Sequence, residues 1–106
     1  MKSIKIFTSI EEAKLRMENR KPVLITIGEK KLCGVRSDDS IYVVDDSCPH
    51  SGALLHNGSV NHLNEIICPL HNYRYNIKDG RECNNRTIDL ETYPINITDK
   101  GVFLNF

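Results

Sequence analysis

The sequence has no excess of charge in either direction: 14 Lys and Arg stand against 14 Asp and Glu, a formal net charge of +0 at pH 7. It therefore lacks the basic stripe that neutralises phosphates, and nucleic acid is not an expected partner. Long apolar runs are missing as well. No segment reaches the length of a bilayer-spanning helix, and the opening Met1-Lys2-Ser3-Ile4-Lys5-Ile6 holds no signal-peptide core. The expectation is a cytoplasmic chain with no membrane association. Repeats, low-complexity tracts and linkers are absent too, and 106 residues suit one domain with one modest core. Cysteine is sparse, with four in all. In a reducing compartment these read as ligands plus spares rather than as two disulfides.

What is present is mostly strand. Ile4 to Ile10 alternates weakly and suits a first strand. Residues 11–20 are ambiguous: Ser9 followed by Glu12 resembles a capping box, and Ala13, Leu15 and Met17 fit either a short helical turn or an edge strand. A β-branched run from Pro22 to Ile27 turns at Gly28-Glu29-Lys30, returns over Lys31 to Arg36, turns at Asp38-Asp39 and returns again over Ile41 to Val44. Short strands at regular spacing are an all-β signature. From Asp45 to Tyr75 the pattern breaks, and only Ile66-Ile67 reads as a strand inside it. Alternation resumes at Tyr73 to Ile77 and turns at Lys78-Asp79-Gly80. A closing hairpin of Ile95 and Ile97 with Gly101 to Phe106 is expected to return to the first strand.

So long an irregular stretch needs something other than a core to order it, and a bound metal would do so. The stretch carries the donors. Cys48-Pro49-His50 opens it, seventeen residues separate His50 from Cys68, and Cys68-Pro69-Leu70-His71 closes it. Each half offers one thiol and one imidazole, with a proline directly after the cysteine. Two soft sulfurs and two neutral nitrogens suit zinc or an iron–sulfur centre, whereas calcium wants oxygens. The repeated Cys-Pro turn implies that the halves face each other across one site. His56 and His62 lie between the halves and read as solvated loop histidines. Cys33 reads as a small buried hydrophobe and Cys83 as a spare, with nothing in the spacing to support a disulfide between them. Gly52 and Gly58 are expected at backbone angles that other residues resist, where amides approach the sulfurs.

Cys48-x-His50 followed by Cys68-x-x-His71 resembles the Rieske iron–sulfur signature. The likeness extends to His50-x-Gly52-x-x-Leu55-x-x-Gly58 and to Tyr75 followed by Gly80. It covers essentially the whole chain, as a minimal soluble ferredoxin of the low-potential branch. It implies an all-β Rieske fold, an antiparallel β-sandwich or barrel-like base with an inserted loop-rich cluster-binding subdomain. The single domain would span residues 1–106, with the base at 1–44 and 76–106 and the subdomain at about 45–75. It also implies one [2Fe-2S] cluster held by Cys48 and Cys68 on one iron and by the Nδ1 atoms of His50 and His71 on the other, with Gly52, Leu70, Tyr73 and Tyr75 around them. Two thiolates leave the oxidised centre neutral where four would leave a dianion, so reduction is easier and the electron settles on the imidazole side. Zinc in the same donor set remains the alternative, although a C-x-H half is unusual for it.

Departures from the family pattern bear on tuning. Ala53 and Leu70 stand where high-potential members carry a disulfide, and Tyr73 stands where they carry a serine that bonds a sulfide. Tyr75, in contrast, matches a tyrosine that donates to a cysteine sulfur in those members. Asn72 replaces a common glycine, and Asn84-Asn85-Arg86 replaces a Gly-Pro. The function implied is a monomeric one-electron carrier, not an enzyme. Its transient partners would be a flavin-dependent ferredoxin reductase and a terminal oxygenase, met at an apolar rim of Pro49, Leu54, Pro69 and Leu70. The alternatives are a small subunit of a nitrite-reductase-type complex and a zinc-stabilised interaction module.

Overall fold

The computed structural model describes residues 2–105, so expectations touching Met1 and Phe106 lie outside the described residues. Three antiparallel sheets carry the chain. The first strand, β1 (Ser3–Phe7), is followed by helix α1 (Ile10–Arg16), which resolves the ambiguity of residues 11–20. Ser9 caps it, its hydroxyl accepting from the Glu12 amide at 3.1 Å, while the Glu12 carboxylate reaches back to the Thr8 amide at 2.8 Å. Helical spacing lays Ala13 and Met17 on one buried stripe and leaves Leu15 in solvent, which an edge strand would not do.

The meander follows as expected: β2 (Val23–Ile27), β3 (Lys30–Ser37) and β4 (Ser40–Asp45) pair in sequence. The turns fall at Gly28, with φ +61°, and at Asp38, with φ +54°. A two-residue strand, β8 (Thr92–Tyr93), adds to the edge of β4. Alternation along β3 and β4 divides the interior. Leu32, Ile41 and Val43 enter one core with Ala13, Met17 and Leu104; Cys33, Val35 and Val44 enter a second core on the opposite face. The middle strands β3 and β4 are thus buried on both sides, while β2 leaves Leu24 and Thr26 exposed. On the first side lies the sheet β1-β10-β9, formed by β9 (Ile95–Thr98) and β10 (Gly101–Asn105) as the expected closing hairpin.

On the second side lies the stretch that the sequence left irregular, and it contains more strand than expected. β5 (Ser59–Val60), β6 (Glu65–Ile67) and β7 (Arg74–Asn76) make a three-stranded sheet of their own, preceded by a 3₁₀ turn at Leu55–Asn57. Ser59–Val60 is too short to show a period. It is set up by the Asn61 side chain, which accepts from the amides of Leu63 and Glu65 at 3.0 and 3.1 Å. Gly52 has the left-handed φ expected of it, +74°. Gly58 does not, at φ −87°; its constraint is space, because a Cβ there would run into the Ile67 carbonyl oxygen.

Candidate metal centre

Two loops above the second core present the four candidate donors, and both close in the same way. The Cys48 amide donates to the Ala53 carbonyl at 2.9 Å, and the Cys68 amide donates to the Tyr73 carbonyl at 2.8 Å. Within the first loop the Gly52 amide also returns to the Cys48 carbonyl at 2.7 Å, which its positive φ permits. Within the second, His71 and Asn72 take that role at φ +67° and +58°. Asparagine and histidine are both among the residues enriched in this conformation, and nothing local in the sequence marks His71 for it.

The loops bring the donors together. Cys48 and Cys68 are both buried in the second core, and each influences the other's ionisation. The imidazoles of His50 and His71 meet edge-on, with centroids 5.3 Å apart and planes at 63°. His71 is exposed, whereas the Nδ1 atom of His50 is buried with no hydrogen-bond partner. A buried nitrogen without a partner costs on the order of 1–3 kcal/mol, and a Lewis acid that reaches the lone pair removes that cost. Among the described residues no three His, Cys, Asp or Glu side chains crowd together as ligands of a single ion would. The donors fall instead into a sulfur pair and a nitrogen pair.

The surroundings favour a thiolate at Cys48. Burial raises its pKa, but the Tyr75 hydroxyl and the amides of Ser51 and His50 more than offset this, so the thiol ends below its ordinary value. Tyr75 is fully buried and its hydroxyl lies 3.5 Å from the Cys48 sulfur. Cys68 moves the other way. Burial and its neighbour Cys48 push it up, against the Leu70 amide and the Ser51 hydroxyl, which lies 3.8 Å from its sulfur. Amides therefore do approach the sulfurs, from His50, Ser51 and Leu70.

Other candidate residues fall where the sequence put them, with one correction. Cys33 is buried under the site and Cys83 is exposed, both as free thiols. His62 is exposed. His56 is not a solvated loop histidine: its Nδ1 meets the Asp46 carboxylate at 2.7 Å, and its amide donates to the same carboxylate at 2.8 Å. Asp46 is 2% exposed, so this double contact pins the first loop to the end of β4. The two residues are ten apart in sequence, which no local pattern reveals. Tyr73 stacks on His50 with centroids 3.9 Å apart, and Arg86 lies over the Tyr73 ring at 3.7 Å. Neither contact is legible from local pattern.

Comparison with known proteins gives these contacts a context. A family model for the Rieske [2Fe-2S] domain matches residues 7–94. The chain is 31% identical over 81 residues to the ferredoxin component of the naphthalene 1,2-dioxygenase/salicylate 5-hydroxylase systems of Ralstonia sp., covering 76% of this chain and 77% of that one. Its fold is similar to that of the ferredoxin of carbazole 1,9a-dioxygenase from Nocardioides aromaticivorans IC177, with a TM-score of 0.82 and 19% identity over 99% of this chain and 98% of that one. It is also similar, at a TM-score of 0.79 and 21% identity, to a chain in the complex of reduced oxygenase and oxidized ferredoxin in carbazole 1,9a-dioxygenase, covering 97% of this chain and 92% of that one. As expected, the all-β architecture is that of Rieske ferredoxins.

Proposed function

Because the chain belongs to the Rieske [2Fe-2S] domain family, we propose that it is the ferredoxin component of an oxygenase system, a one-electron carrier that performs no catalysis of its own. When bound, the [2Fe-2S] group takes up and returns one electron at a time. Cys48 and Cys68 are assigned to one iron, and the Nδ1 atoms of His50 and His71 to the other. The observation that carries the assignment is the buried, unpartnered Nδ1 of His50 beside a second imidazole, above a core that holds both cysteines. Pairing of the donors favours two metals over one zinc. We take residues 1–44 and 76–106 as the base and about 45–75 as the cluster-binding part, with Glu82 to Thr87 packed against its outer side.

The chain's own residues then divide the work. Amides of His50, Ser51 and Leu70 and the Tyr75 hydroxyl stabilise negative charge on the sulfurs. Gly52 lets the first loop close, and Tyr73 braces His50. Leu54 and Leu70 are 46% and 47% exposed, and with Pro49 and Pro69 they are assigned to the rim around the imidazoles. A small apolar rim around an exposed histidine suits brief docking of a terminal oxygenase on one occasion and a flavin-dependent reductase on another. The working form is a cytoplasmic monomer. No helix among the described residues is long and apolar enough to cross a membrane.

Iron and labile-sulfide analysis of the purified protein tests this reading, with the spin-resonance spectrum after dithionite. A red-brown protein with about two irons per chain is expected. A colourless zinc protein would overturn the reading in favour of an interaction module. Obligate co-purification with a large reductase subunit would overturn the free-carrier part of it.

A further inference from the structure

Glu82 is the most heavily used acceptor in the molecule's outer layer, and its side chain has no solvent exposure. Its carboxylate receives the Arg86 Nε at 3.0 Å, the Arg86 Nη2 at 2.8 Å and the Arg86 amide at 2.7 Å. The Asn84 amide and the Cys83 thiol also donate to it, at 3.2 and 3.4 Å. The Arg86 guanidinium is thereby fixed in plane by a two-pronged contact. It lies 3.7 Å from the centre of the Tyr73 ring, and the His50 imidazole lies 3.9 Å from the same centre at an interplanar angle of 13°. Two planar groups at those distances cannot share one face. Tyr73 is therefore held between guanidinium and imidazole, in a column that runs Glu82, Arg86, Tyr73, His50.

We propose that Arg86 is a positioning residue that clamps Tyr73 against His50 and raises the reduction potential of the centre. The inference rests on His50 being a cluster ligand, as proposed above. The clamp restricts rotation of the imidazole whose buried Nδ1 lacks a protein partner. It also turns the positive end of the ion pair onto the Tyr73 ring, while the negative end is taken up by the donors of the 82–86 turn. Added negative charge at the site is stabilised by that arrangement more than the oxidised state is. The contact belongs to this chain's own Asn84-Asn85-Arg86 turn, where Asn85 sits at φ +54°.

Redox titration of the cluster-loaded protein tests the proposal. Arg86→Lys keeps a cation for Glu82, and so keeps the fold, but removes the planar face that stacks. At the wild-type midpoint its ratio of reduced to oxidised protein is expected to fall by up to about fivefold, the bound reached when the whole of an exposed cation–π contact favours the reduced state. That is roughly 40 mV downward at 59 mV per decade. Tyr73→Leu removes the middle of the column and should shift the midpoint the same way, with the double variant adding little more. An unchanged midpoint in Tyr73→Leu or in loaded Arg86→Lys overturns the proposal, as does full additivity, which would mean the two residues act separately. Should Arg86→Lys fail to load, Tyr73→Leu carries the same expectation alone. A wild-type protein without iron or a spin signal would sink the ligand assignment itself, a result distinct from any of these.

Discussion

The base and the tip of this molecule hold their shape by different means. In the base, Leu32, Val43, Val102 and Leu104 are buried between two sheets and a helix, and hydrogen bonding is mostly strand ladder. In the tip, short strands are joined by turns whose geometry is set by single polar side chains. Asp46 holds the first loop and Asn61 shapes the turn between β5 and β6, while Glu82 organises the turn of the base that packs against them. Non-glycine residues at positive φ also gather in this region, with Asn64, His71 and Asn72 in the tip and Asn85 in the turn packed on it, against Arg20 and Asp38 elsewhere. Apolar area is non-directional and tolerant, so it suits a scaffold. Directional contacts are intolerant but place atoms accurately, which is what four donors from two loops require.

This contrast makes the largest expected effect a base substitution. Leu104→Ala should lower the free energy of unfolding by about 3 kcal/mol, measured by urea denaturation. If base and tip are one cooperative unit, colour loss and loss of β-sheet circular dichroism will coincide. Next in size is removal of a donor. His50→Ala should abolish the spin signal and lower the thermal midpoint to that of chelator-treated wild-type protein, while the sheet spectrum of the base persists. Loss of the sheet spectrum as well would show that the tip dictates the base, contrary to the division drawn here.

Acid should weaken the tip before the base, and Glu82 supplies the reason. Its Arg86 partner, against the opposing effect of burial, holds its pKa down to about 2 from the ordinary glutamate value of 4.5. A depressed folded-state pKa contributes stability above the unfolded value and loses it as pH falls toward the folded one. The contribution is therefore complete above about pH 4.5 and fades between there and about pH 2. Glu82→Gln should remove that segment of the stability curve. An identical acid limb in the variant, followed by circular dichroism, would exclude Glu82 as its source.

The sequence makes these two regions legible in unequal ways. Strands of the base show themselves because short apolar, β-branched runs bounded by turn residues recur at regular spacing, even where, as in β3, burial on both faces hides the alternation. The helix was half visible: Ser9 and Glu12 marked its start, but the burial of Met17 against the sheet, a tertiary fact, decided it. In the tip, the candidate donors were conspicuous in the sequence because thiol and imidazole chemistry is rare and their spacing is distinctive. Their supports were not. Ser59–Val60 and Thr92–Tyr93 are too short for periodicity, His56 answers to an aspartate ten residues away, and Arg86 reaches Tyr73 across thirteen positions. Local pattern reports chemistry and period; it does not report which side chains a tertiary turn will bring face to face.

The smallest effect on stability, and the sharpest test of what the tip's directional contacts do, belongs to Tyr75. Its hydroxyl accepts from Thr87 at 3.2 Å and faces the Cys48 sulfur at 3.5 Å. Burial raises its pKa to about 12, so it remains a proton donor throughout the working range. A hydrogen bond to a sulfur strengthens when the centre gains negative charge, so it favours the reduced protein. Taking the difference as about 1 kcal/mol, a typical net hydrogen bond, Tyr75→Phe should lower the midpoint potential by roughly 40 mV. Stability should change little, because the ring still fills the core and the Thr87 hydroxyl keeps its bond to the Ile88 carbonyl at 2.8 Å. A voltammogram of Tyr75→Phe that overlays the wild type would mean that the 3.5 Å approach to Cys48 is packing alone.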